Sequence, residues 1–387
     1  MAASTIPQST LDITPAWLNT MLPPVLLGGA RVTGVEAEPL GEGAGFNSAL
    51  ARLVLTTEPA ASLPPLIAKF ASSDGKTRNY ATQLGETEVR FYRELAERVN
   101  LPTPLCHVAD FDSTSGLFIL IFEDLAPAVV GDQVVGATLT QAEAVVDALA
   151  RHHASWWNSK ELMDGGWLPP QAPLATRIIE EIDEGMPAMR ERWGVRYPDV
   201  IDLAERARKI LPGLLHRLMN APLPKPYTLV HGDVRLDNIF FPSENGGRFA
   251  FIDWQLAVLG QPASELSYWL VTNLPPDLRR QHEDALVRRY HAHLREHGVR
   301  NYSLRSLRMG YRFSTAMLAV AAPGLAGSNH DFSSERGTAF VECLIERIDA
   351  AMRDCNARRL LRTMPWALRG ILAWDAVKRT VARPFGR

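Results

Sequence analysis

Apolar positions in the first third of the chain alternate or run together, whereas those of the remainder recur at the three- and four-residue spacing of helices. β-like runs lie around Arg31 to Leu40 and Ala49 to Thr56, and LIAKFA, ending at Ala71, reads as a short apolar strand. LFILIFEDLA, from Leu117 to Ala126, reads as a continuous strand that stops abruptly at Glu123-Asp124. One helix interrupts this pattern: in ETEVRFYRELAERV, Val89, Tyr92, Leu95, Ala96 and Val99 define a single apolar face. Thr14-Pro15 reads as the cap and first position of a short helix bearing Trp17, Leu18, Met21 and Leu22. Beyond Ala126 the pattern turns helical. TLTQAEAVVDALARHHASWWNS offers Thr140 as an N-cap with Glu143 three residues on, a capping box. WLPPQAP breaks the pattern, and helices follow up to Pro226. Further helical blocks span about Gln261 to His297 and the segment SLRSLRMGYRFSTAMLAVAAP.

Between these helical blocks lies LVHGDVRLDNIFFPSENGGRFAFIDW, Leu229 to Trp254, which reads as a β-hairpin. Asn245-Gly246 is a strong signal for a two-residue turn, and Ile239 to Phe241 and Phe249 to Ile252 are apolar, aromatic or β-branched. Pairing outward from that turn sets Asn238 opposite Asp253, with a register uncertain by about two residues because of Pro242 and Gly247. Opposed residues lie about 5 Å apart at their β-carbons, close enough for an amide oxygen and a carboxylate to share one hard cation. Asp233 precedes Asn238 across a tight loop and is free to accept a proton. Two protein oxygens are too few for a calcium cage but suit magnesium, which takes the rest of its shell from water and nucleotide phosphates. A kinase-type site uses one aspartate to orient and deprotonate the attacking hydroxyl, and an asparagine and a second aspartate to hold metal. Asp233, Asn238 and Asp253 stand in that order.

HGDVRLDN together with FIDWQ resembles the aminoglycoside phosphotransferase and choline kinase superfamily of small-molecule kinases, and within it the ecdysteroid-kinase-like branch. The resemblance runs over most of the chain, with further landmarks in the expected order upstream. It implies an α+β, two-lobed protein-kinase-like fold. Residues 1–122 would form a small antiparallel-sheet lobe, 123–131 a hinge, and 132–387 a larger, mostly helical catalytic and acceptor-binding lobe. In the Gly-rich turn from Gly41 to Ser48, the backbone at Gly43 and Gly45 would lie over nucleotide phosphates, with Asn47 or Ser48 adding a hydrogen bond. The resemblance gives Lys69 the role of contacting those phosphates and Glu88 the role of positioning it, with Glu86 and Glu94 as competing choices. Backbone at Glu123, Asp124 and Leu125 would meet the base, and ATP is the implied nucleotide. One departure is Glu265, where an aspartate is common, which leaves open how the catalytic loop is braced. No APE-like segment follows Asp253, which argues against a protein substrate.

Composition narrows the alternatives. A length of 387 residues with 46% hydrophobic content suits two lobes, and a net charge of -2 provides no polyanion-binding surface, so nucleic acid is not an expected partner. Three scattered cysteines fit a reducing cytoplasm, no signal peptide is visible, and no apolar run reaches a membrane span. The tail from Arg353 to Arg387 is basic, with tryptophans at helical spacing. Membrane contact is one reading, and a packed terminal helix with a solvated basic face is favoured. His152 and His153 are expected to pack rather than bind metal, the acidic run IIEEIDE to be a solvated helix face, and Trp269 and Tyr311 to be either pocket lining or core. The expected activity is ATP- and Mg²⁺-dependent phosphorylation of a hydroxyl on a small molecule, tilted by the resemblance toward a lipophilic or sterol-like alcohol. An aminoglycoside-type phosphotransferase is the runner-up. A catalytically silent nucleotide-binding scaffold is the alternative of another class, and the complete set of Lys69, Glu88, Asp233, Asn238 and Asp253 speaks against it.

Overall fold

A computed structural model describes residues 6–40, 48–71, 78–169, 171–219, 225–327, 332 and 334–359. Two short helices, α1 (Pro15–Met21) and α2 (Pro24–Leu27), lead into strands β1 (Arg31–Leu40), β2 (Ser48–Glu58) and β3 (Leu66–Ala71). Helix α3 (Arg78–Glu94) and strands β4 (Cys106–Asp112) and β5 (Leu117–Glu123) follow. The five strands form one antiparallel sheet in the order β1-β2-β3-β5-β4.

Period-two alternation sorts the side chains of this sheet between two cores. On β5, Ile119 and Ile121 join Leu18, Leu53 and Leu66 under the N-terminal helices, while Phe118, Leu120 and Phe122 face α3. That double burial explains the unbroken apolar run of this strand. On β3, Leu66, Ala68 and Phe70 lie on the first face. Lys69 is therefore turned to the second face, where α3 presents Val89, Phe91 and Tyr92. The α3 core continues without a break into the helices beyond, so this helix is shared by both parts of the molecule.

The chain leaves β5 through Glu123 and the short strand β6 (Val129–Val130). It then builds helices α4 (Leu139–Ser155), α5 (Lys160–Gly165), α6 (Gln171–Trp193) and α7 (Pro198–Met219). Strand β7 (Thr228–Val230), the loop from His231 to Asn238, and strands β8 (Ile239–Phe241), β9 (Ala250–Phe251) and β10 (Val258–Gly260) come next. Helices α8 (Pro262–Asn273), α9 (Pro276–Glu296), α10 (Leu304–Ala321) and α11 (Glu335–Asp354) complete the described chain. The α+β, two-lobed kinase-like architecture is thus present: one antiparallel sheet with α3, then a larger helical body. Trp269 and Tyr311 are buried core residues rather than pocket lining. Of the basic tail, residues 360–387 lie outside the described residues. Among the described residues no helix is long and apolar enough to cross a membrane.

Two local expectations are corrected. Helix α4 is capped by Thr138, not Thr140, because Gln141 reaches back to the Thr138 backbone as well as a glutamate would (2.9 Å), and Thr138 Oγ1 accepts the Gln141 N–H (3.2 Å). In the hairpin, Ser243 and Gly246 exchange both backbone hydrogen bonds (2.8 and 3.0 Å), so the central turn residues are Glu244 and Asn245. Gly247, at φ 89° and packed so that a β-carbon would sit 2.4 Å from the Ala128 nitrogen, takes up the extra residue as a bulge. The register becomes Ile239 to Phe251, which sets Asn238 beside Ile252 rather than Asp253.

Candidate active site

The one-residue shift in register hands the aiming of Asp253 to its own backbone. Asp253 follows β9 in the left-handed region at φ 67° and ψ 62°, a conformation that aspartate tolerates better than most residues. Its carboxylate there meets Lys69: Nζ lies 2.7 Å from Asp253 Oδ1 and 2.6 Å from Glu88 Oε2. Glu94, by contrast, pairs with Arg90 on the surface. Trp254 anchors the turn by stacking on Phe91 of α3, with centroids 3.9 Å apart and planes 8° from parallel. Burial alone would lower the Lys69 pKa, but Asp253 and Glu88 more than reverse this and hold the ammonium above its ordinary range. Burial pushes the Glu88 carboxyl up, against the pull of Lys69. For Asp253 burial pushes the same way, yet Lys69, Arg235 and His231 outweigh it and its pKa falls.

The second group centres on Asp233. Its Oδ2 accepts from Asn238 Nδ2 (2.9 Å) and its Oδ1 from the Tyr268 hydroxyl (2.7 Å). Burial and the neighbouring Asp233 raise the Tyr268 pKa far above the usual phenol value, so the hydroxyl stays a donor. Asn238 Nδ2 also donates to the Asp233 carbonyl (3.0 Å). Both donations leave from the amide nitrogen, which fixes the amide orientation and leaves Oδ1 without a donor among the described residues. Asn238 Oδ1 and the Asp253 carboxylate are hard oxygens that fit a magnesium ion sharing its shell with phosphate oxygens. Among the described residues no cluster of three or more His, Cys, Asp or Glu side chains could hold a metal.

Buried polar side chains hold the loop backbone from Gly232 to Asn238 in place. Leu236 N–H is shared between Gln133 Oε1 (2.9 Å) and Asn273 Oδ1 (2.8 Å), and Asn273 Nδ2 donates to the Val234 carbonyl (3.1 Å). His231 Nε2 donates to the Ile252 carbonyl (2.9 Å) while its Nδ1 faces the Asp233 N–H (3.3 Å), tying the loop to the residue before Asp253. Glu265 answers the bracing question. Oε1 accepts the Gly232 N–H (2.8 Å) and Oε2 the His153 Nε2–H (2.7 Å), and His153 Nδ1 in turn meets the Tyr290 hydroxyl (2.5 Å). Gly232 itself sits at φ 86°, and a β-carbon there would lie 2.1 Å from the Leu256 carbonyl oxygen.

A sequence model of the ecdysteroid kinase-like family matches residues 42–300, a span that takes in Lys69, Glu88, the loop and the hairpin. The chain belongs to the ecdysteroid kinase-like family. It is 33% identical over 87 residues to acyl-CoA dehydrogenase family member 10 of Mus musculus, a match covering 21% of this chain and only 8% of that protein. Among solved structures it is similar to the GDP and kanamycin complex of APH(2")-IIia, at 15% identity and TM-score 0.48 over 87% of this chain and 98% of that one. It is also similar to a Plasmodium vivax ethanolamine kinase, at 13% identity and TM-score 0.46 over 83% and 82% of the two chains.

Within this ecdysteroid kinase-like chain the other sequence candidates fall unevenly. Gly41, Gly43, Gly45 and Asn47 lie outside the described residues, and Ser48 opens β2 opposite Ala71. Glu123 accepts the Leu105 N–H (2.6 Å) and pairs with Arg248, and Asp124 pairs with Arg52 (2.9 Å). Leu125 is buried. The backbone N–H groups of Glu123 and Asp124 donate to the carbonyls of Leu105 (3.0 Å) and Pro65 (3.3 Å). Sequence reasoning missed Gln133, Tyr268, Asn273 and Arg235. Only Arg235, inside the HGDVRLDN motif, carried a signal that could have found it.

Proposed function

We propose that this chain transfers the γ-phosphoryl group of ATP to a hydroxyl of a small molecule, in the presence of Mg²⁺. The observation that carries the reading is the meeting of Lys69, Glu88 and Asp253 within 2.7 Å, next to a loop on which Asn238 holds Asp233. Asp233 accepts the hydrogen bond of the incoming hydroxyl and takes its proton. Asn238 Oδ1 and the Asp253 carboxylate hold the metal, and Lys69, kept in place by Glu88, takes the phosphates. Magnesium, when bound, neutralises the charge of the phosphate oxygens. Backbone from Glu123 to Leu125 receives the base, and the Gly41 to Ser48 turn covers the phosphates. Family membership favours a lipophilic, sterol-like alcohol as acceptor.

Asp233→Ala is expected to reduce phosphoryl transfer by about 100-fold or more, while Mg·ATP affinity stays near that of the parent. The assay is mass spectrometry of metabolite pools incubated with ATP, following gain of one phosphate. Retained turnover in the variant would refute the assignment of Asp233.

A further inference from the structure

Arg235, half-buried, stands apart from the buried arginines. Arg347 places Nη1 and Nη2 on the carbonyls of Gln133, Thr272 and Val134, and Arg279 pairs with Glu283 and Asp354. Arg235, whose side chain is 19% exposed, turns only its inner edge to a partner, with Nε 3.1 Å from Asp233 Oδ2. Neither terminal nitrogen donates to a protein group among the described residues. The guanidinium rests over the Phe340 ring, 5.5 Å from its centroid. Burial opposes its charge, but Asp233, Tyr268, Asp253 and Asp237 together raise its pKa and keep the guanidinium charged.

We propose that Arg235 is the second cation of the transfer site, a fork whose Nη1 and Nη2 take oxygens of the γ-phosphoryl group. This rests on the kinase reading above. Without Arg235 the cluster sets one ammonium, Lys69, against the three carboxylates of Glu88, Asp233 and Asp253, a poor welcome for a polyanion. A planar guanidinium with two open, parallel donors matches the oxygens of a phosphoryl group in a way a lysine cannot. In the transfer step the acceptor oxygen bonds to phosphorus as the bond from phosphorus to the bridging oxygen of ADP breaks. The electron pair leaves with ADP, and the acceptor proton passes to Asp233. Arg235 exchanges no atom; it holds the moving group in line between Asp233 and the metal-side residues.

The test is calorimetric titration of the full chain with Mg·ATP and, separately, Mg·ADP. Arg235→Met keeps an unbranched apolar stem and removes the fork. It is expected to weaken Mg·ATP binding by about 10-fold or more and Mg·ADP by less than about 2-fold, since a hydrogen bond to a charged group is worth at least a factor of that order. Arg235→Lys, which keeps the charge and covers the case of a misfolded methionine variant, is expected to fall between, again for Mg·ATP only. Equal weakening of both nucleotides, or of neither, overturns the fork while leaving the kinase reading in place. A wild-type chain that binds neither nucleotide overturns both.

Discussion

Two clusters of buried polar groups lie side by side in this molecule and are built in opposite ways. Lys69, Glu88 and Asp253 arrive from a strand, a helix and the end of a hairpin, and they meet as charges. The loop from Gly232 to Asn238 is gripped by directional hydrogen bonds from Gln133, Asn273, His231 and Glu265, most of them to its backbone. A buried ion cluster contributes little net stability, because the cost of desolvation nearly offsets the attraction, but it can rearrange when a charged ligand enters. A buried hydrogen-bonded grip is different: removing one member leaves its partner unsatisfied at a cost of about 1–3 kcal/mol. The loop cradle should therefore set stability and geometry, and the charge cluster should set affinity. Substitutions on the two sides separate these roles.

The largest effect is expected at Gly232. Alanine there would have to adopt φ near 86° with its β-carbon 2.1 Å from the Leu256 carbonyl oxygen, so backbone must move. Gly232→Ala is expected to cost more than about 3 kcal/mol, read as a fall in the urea midpoint. An unchanged midpoint would break the comparison, since the loop would then be soft where the cradle says it is rigid.

Next comes Glu265→Asp. The glutamate spans from the Gly232 N–H to His153, at 2.8 and 2.7 Å, and one methylene less cannot reach both. A loss of about 1–3 kcal/mol is expected, together with slower phosphoryl transfer and little change in Mg·ATP affinity. If affinity fell while stability held, Glu265 would belong with the charge cluster instead.

The same contrast explains what could be read in the sequence. Lys69 announces itself because a cation in an apolar strand needs a partner, and period-two alternation then points it at the helix carrying Glu88. Asp233, Asn238 and Asp253 stand out by type and spacing. The cradle does not: Gln133 precedes a helix cap, Asn273 ends an apolar helix, and Tyr268 sits among residues that read as core. Neutral polar side chains in such places look the same whether they cap, pack or brace. Their partners are backbone groups, which leave no mark in the choice of residue. The register error at the hairpin has a similar cause. Asn245-Gly246 marks the hairpin, but the bulge at Gly247 packs against Ala128, a long-range contact that local turn preference cannot report.

The smallest effect sharpens the charge side of the comparison. Burial raises the Glu88 carboxyl above its ordinary value, to about 7, so the folded chain binds this proton more readily than the unfolded chain does. A group with a raised folded pKa contributes stability that is fully present below its unfolded value and is lost as pH climbs through the folded one. Glu88→Gln removes the titration and leaves Lys69 its contact with Asp253. The wild-type melting temperature, measured relative to that of Glu88→Gln, should therefore rise as pH falls from 8 to 5, by roughly 2 to 4 °C. Asp253, with its lowered pKa, has the opposite sign: its contribution is present across this whole range and is lost only at more acid pH. A difference between the two proteins that stays flat across this range would mean that Glu88 remains ionised throughout, and that Lys69 masks the cost of its burial completely.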